Sequence, residues 1–77
     1  MNAKGRKELQ GLIEKLDEVK TDLEFMQEDE QSKLDNLPEG IQDSERGEAM
    51  QNAIDQLEYA CDSIQEAIDN LQEIIDA

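Results

Sequence analysis

Histidine and tryptophan are absent from this 77-residue chain, and cysteine, proline, phenylalanine and tyrosine occur once each. Each shortage excludes something. Without an imidazole nothing can activate Cys61, which lies in an apolar column, so no nucleophile–base pair can be assembled. The plainer reading of that cysteine is a small core residue, and alone it closes no intramolecular disulfide. With only Phe25 and Tyr59 aromatic, a core has to be aliphatic, which suits helix-on-helix packing better than a sheet. Gly5, Gly11, Gly40 and Gly47 are scattered and form no phosphate-cradling loop. No stretch approaches the roughly 20 apolar residues of a membrane span. The basic start Met1–Lys7 leads into mixed polar sequence rather than a signal-type apolar run. The expectation is a reduced, cytoplasmic protein without cofactor or catalytic residues.

Basic residues are also scarce. Seven Lys and Arg stand against 21 Asp and Glu, a net charge of −14. Such a surface excludes ordinary binding to nucleic-acid phosphates and disfavours anionic membranes. It leaves basic proteins, cations or plain solubility as what the charge serves. An acidic Gly-containing turn between helices invites comparison with a calcium loop. Aligning Gly40 to the glycine of an EF-hand puts Leu37 at a ligand position and Arg46 where the bidentate Glu belongs. Neither binds calcium, so the motif fails. A di-iron carboxylate bundle would need Glu-x-x-His pairs, and there is no His. No metal ligand set is assigned.

What the chain does have is periodicity. Leu9, Leu12, Leu16, Val19, Leu23 and Met26 follow steps of three and four, the a/d seam of a helix with Leu9 at a. In the second half Met50, Leu57, Ile64 and Leu71 fall at a, Ala53, Ala60, Ala67 and Ile74 at d, and Ile54, Cys61, Ile68 and Ile75 at e. Between the two lies Leu34-Asp35-Asn36-Leu37-Pro38-Glu39-Gly40-Ile41, where Pro38 interrupts helix and Gly40 is free to take positive φ. The pattern predicts one all-α domain over 1–77: helix one about 4–33, a turn about 34–43, and helix two about 44–76 with Asp43 or Ser44 as N-cap. Gly47 looks out of place near the start of helix two.

A short connection makes the helices antiparallel. A turn centred on Glu39 and Gly40 places Leu9 near Leu71, Leu16 near Ile64 and Leu23 near Leu57. Leu12, Val19 and Met26 then meet Ala67, Ala60 and Ala53, large against small. Lys4, Arg6 and Lys7 come beside Glu73 and Asp76. Two helices can bury an a/d seam, yet helix two carries a third apolar column at e, and its g residues Gln56, Ser63 and Asn70 are uncharged. The column Ile54, Cys61, Ile68 and Ile75 is thus expected to be a self-association face. Two hairpins would close into a homodimeric four-helix bundle.

The four aspartates Asp55, Asp62, Asp69 and Asp76 recur at f, on the solvent side. A solvated helix face is the plain explanation. The sharper one is an acidic partner face that mimics nucleic acid and blocks a basic site on a host protein. From Gly47 to Ala77 there are eight acidic residues and no basic one, one carboxylate per roughly 5 to 6 Å of helix. Duplex DNA offers a charge every 1.7 Å or so, about three times denser.

The stretch Leu34–Met50, with Asn36-Leu37-Pro38-Glu39 followed by Ser44-Glu45-Arg46-Gly47-Glu48, runs into the Ala-Ile-Asp heptads. It resembles the centre of small acidic hypothetical proteins of Gram-positive bacteria, their phages and mobile elements. That group has no assigned activity, so the resemblance carries no site residues onto this chain. It implies a mobile-element setting, in which small acidic proteins are often inhibitors of host machinery.

Overall fold

The computed structural model describes residues Met1–Ala77. Two long helices, α1 (Ala3–Asp35) and α3 (Glu45–Asp76), flank a single helical turn, α2 (Glu39–Gln42). Asn2 caps α1, its Oδ1 accepting from the Gly5 N–H at 2.8 Å, which satisfies a backbone donor that has no partner inside the helix. The helices run antiparallel along a body 58 × 14 × 13 Å. At the open end Arg6 donates to the Ala77 carbonyl at 3.2 Å, and midway Lys20 donates to Gln65.

The helices face each other with different columns from those the a/d pattern implies. All six buried residues are e positions: Ile13 and Leu34 on α1, and Gly47, Ile54, Cys61 and Ile68 on α3. The a residues Leu9, Leu16, Leu23, Met50, Leu57, Ile64 and Leu71 flank them, half-buried. The d residues Leu12, Val19 and Met26 are left outside, 50%, 48% and 60% exposed. The expected self-association column is therefore the inside of the hairpin, with Ile75 half-buried at its end. The physical reason lies in α3. Turning e rather than d toward α1 buries isoleucines in place of alanines, and each large aliphatic side chain removed from water contributes about 1.5–3 kcal/mol. In exchange α1 must bring its own e column inward, including Lys20 and Gln27, both half-buried.

The register shifts as well. Lys20 reaches both Cys61 and Gln65, and Arg6 reaches Ala77. Such pairs are centred on Ile41 and Gln42, not on Glu39 and Gly40. Leu16 and Leu23 consequently lie at levels between two a residues of α3 instead of opposite one, and Leu9 lies beyond Leu71. The expected contact of Lys4, Arg6 and Lys7 with Glu73 and Asp76 is replaced by the Arg6–Ala77 bond. Both ion pairs in the molecule, Lys20–Glu24 and Asp29–Lys33, lie within α1.

The turn explains the shift. The chain does not reverse through a left-handed glycine, since no residue has positive φ. Pro38 instead starts α2, its carbonyl accepting from the N–H groups of Ile41 and Gln42 at 2.8 and 3.0 Å. The Gln42 side chain reaches back to the carbonyls of Leu37 (3.0 Å) and Asp35 (3.4 Å), satisfying acceptors at the end of α1. Ser44 occupies the N-cap of α3, but its hydroxyl donates to the Ile41 carbonyl and caps nothing. Glu45 and Glu48 occupy the first turn of α3, where negative charge complements the helix dipole. Gly47 is needed there: a Cβ on it would run into the backbone of Gln42.

Candidate interaction surface

Rotation of both helices onto their e columns has a geometric consequence. In an antiparallel pair meeting through the same heptad positions, the d columns of both helices project from the same side. Leu12, Val19 and Met26 of α1 therefore share a face with Ala53, Ala60, Ala67 and Ile74 of α3. A groove that brings Met26 together with Ala53 and Leu57, rimmed by Asp29, Lys33 and Gln56, marks that face at its turn end. Ile74 is 42% exposed at the other end. Flanking this strip on α3 are the g residues Gln56, Ser63 and Asn70, all exposed and uncharged. Flanking it on α1 are Glu8, Lys15, Asp22 and Asp29.

One flank of the strip is thus neutral and the other mainly acidic. Side-chain size is divided the same way, since α1 raises a ridge of Leu, Val and Met beside an alanine trough on α3. Lys33 is held to Asp29 at 3.1 Å. That hydrogen bond, with the Asp29 and Glu30 charges, raises the pKa of the lysine.

The acidic column stands elsewhere. Asp55, Asp62, Asp69 and Asp76 are all exposed. Three of them accept an amide bond from the glutamine one turn earlier: Gln51 to Asp55 (3.0 Å), Gln65 to Asp69 (2.9 Å) and Gln72 to Asp76 (3.1 Å). Gln65 also accepts from Lys20, so one amide joins a cation on α1 to a carboxylate on α3. The periodic pattern does not announce Lys20, Gln65 or Gln42, because polar residues at inward positions read as interruptions. The signal that was present is the break in apolar character at α1 position e.

Cys61 is buried, its Sγ 3.8 Å from the Lys20 carbonyl oxygen. Burial pushes the thiol pKa up; Glu24 and Asp62 push the same way, and Lys20 opposes them. Phe25 and Tyr59, the two aromatic residues, are 65% and 66% exposed at c positions on the outer edges. The hairpin is thus lined inside by isoleucines, edged outside by carboxylates and two aromatic rings, and uncovered along one apolar strip. No helix is long and apolar enough to cross a membrane. Comparison of the chain with protein-family models, curated proteins and solved structures gives no match.

Proposed function

We propose that this chain is a non-catalytic helical interaction module that self-associates, and that its contact surface is the strip of d residues. One observation carries the reading. Leu12, Val19 and Met26 stand about half exposed at heptad spacing, in a strip that is neutral along its α3 flank, on a chain of net charge −14. Most other outer columns carry carboxylates, which repel a second acidic molecule, and Phe25 and Tyr59 stand singly on the outer edges. Aliphatic side chains aligned on a helix face are the usual anchor of helix-in-groove and bundle contacts. Val19→Glu, at a position already open to solvent, should leave helicity intact by circular dichroism. It should reduce the molar mass found by sedimentation equilibrium to that of one chain. A native chain that is monomeric at high micromolar concentration sinks the proposal.

The second reading, an acidic inhibitor that occupies a basic site on a host protein, is favoured by the exposure of Asp55, Asp62, Asp69 and Asp76 and by the glutamines that hold three of them. Successive members of the column are about 10 Å apart along α3. That makes a single column a dilute copy of a phosphate backbone. The two readings part on which face matters. Asp55, Asp62 and Asp69 changed to Asn would abolish capture of a basic partner, and that capture would weaken steeply with salt. Association through the apolar strip would survive both changes.

A further inference from the structure

The isolated hairpin has more surface than its mass warrants. Its accessible area is 5700 Å² for 8.8 kDa, whereas a compact monomer of that mass exposes about 4,800 Å². Its radius of gyration is 17.4 Å, against roughly 11–12 Å for a globular chain of this length. The excess, about 900 Å², is close to the 800 Å² or so that each partner buries in a standard stable interface. One hairpin face, two helices wide along a body 58 × 14 Å, is large enough to supply it.

Two stackings of the apolar strips are compatible with two-fold symmetry. With the axis perpendicular to the helices, α1 lies on α1 of the second copy. Ridge then meets ridge, and the acidic flank of Asp22 and Asp29 faces its own image. With the axis parallel to the helices, α1 lies on α3 of the second copy. Ridge then meets trough, and the acidic flank of α1 faces the neutral Gln56, Ser63 and Asn70. Adjacent helices are antiparallel in both stackings, so side-chain size and charge distinguish them. The register completes the fit, because an axis along the helices preserves levels. A pairing centred on Ile41 and Gln42 puts Val19 at a level between Ala60 and Ala67, and Met26 between Ala53 and Ala60. Val19 and Met26 each enter a gap between two alanines, the knobs-into-holes relation, and Leu12 falls between Ala67 and Ile74.

Resting on the self-associating reading above, we infer that the occupant of this face is a second copy of the chain. It is stacked about a two-fold axis parallel to the helices, so that Val19 of each copy seats between Ala60 and Ala67 of the other.

Single-cysteine chains test this directly. Val19→Cys and Ala67→Cys, each with Cys61→Ala, are mixed in equal amounts and mildly oxidised. The disulfide between the two different chains should exceed the Val19→Cys homodisulfide at least several-fold. Predominance of that homodisulfide overturns the stacking while leaving self-association intact. A native chain of one-chain mass at high micromolar concentration overturns both. Should Cys61→Ala fail to fold, the same mixture with Cys61 retained is read by peptide mapping, which separates any product of the buried thiol.

Discussion

Lys20 on α1 donates to the side-chain amide oxygen of Gln65 on α3 at 2.5 Å, and the same amide donates to Asp69 at 2.9 Å. The lysine side chain is only 21% exposed, so this polar chain crosses the seam where an aliphatic pair would otherwise sit. A half-buried polar pair across a seam specifies register more than it adds stability. Lys20→Met and Gln65→Leu should each destabilise the hairpin. A double-mutant cycle in urea should give a coupling of about 0.5–1.5 kcal/mol, the net worth of an intramolecular hydrogen bond. Strict additivity of the two changes would remove the pair from any structural role.

Two glycines in α-helix should respond oppositely to the same change. Nothing lies within 4 Å of a Cβ built on Gly11, so Gly11→Ala should stabilise α1 by about 0.5–1 kcal/mol. At about 4–8 °C per kcal/mol for a domain of this size, that is a rise of several degrees in Tm. Gly47→Ala would drive its methyl into the Gln42 backbone and should cost about 1–3 kcal/mol, as overpacking does. Matching shifts in thermal melts of the two variants would refute the turn geometry.

The Cys61 thiol has a folded pKa raised chiefly by burial, while in the unfolded chain it titrates near the ordinary value of about 8.5. Above that pH the unfolded chain releases a proton that the folded chain keeps. The stability linked to this group is therefore fully present below the unfolded pKa and is lost as pH rises toward the folded value. Urea midpoints should decline more steeply between about pH 8 and 10 for the native chain than for Cys61→Ala. Parallel slopes would show that the thiol is not differentially protonated. Alkylation of Cys61 by iodoacetamide at neutral pH should likewise be slow until the hairpin is denatured.

Added salt should raise Tm. The net charge is −14, and both ion pairs are local to α1. Salt therefore screens many repulsions and few attractions. At 0.1 M the screening length is about 10 Å, well short of the 58 Å body over which the carboxylates are spread. Melts that fall steadily between low and moderate sodium chloride would mean that attractions dominate after all.

Helix content and the place of the turn were legible because they depend on local rules. Heptad spacing writes amphipathic helix directly into the order of residues, and a proline between two such segments ends the first. The expected helix ends at 33 and 44 fall within two residues of the observed Asp35 and Glu45. Gly47 was visible as an anomaly but not as a requirement. Its reason lies in Gln42, whose position depends on α2, and a four-residue helical turn has too few residues to show a period.

Which apolar column faces inward was not legible. Three columns on α3 were recognised from the order of residues, but choosing between d and e depends on what the opposing helix presents at the same level. That level is set by the turn. A chain that reverses about Ile41 and Gln42 instead of Glu39 and Gly40 changes every cross-helix pairing, setting Lys20 between Cys61 and Gln65.

By itself the sequence determined an acidic, aliphatic, two-helix chain with more apolar columns than one hairpin can cover. Tertiary structure decided which of them is left over. Burial favours the isoleucines over the alanines, because transfer free energy grows with apolar area. The e column therefore closed the hairpin, and Leu12, Val19 and Met26 became its uncovered face.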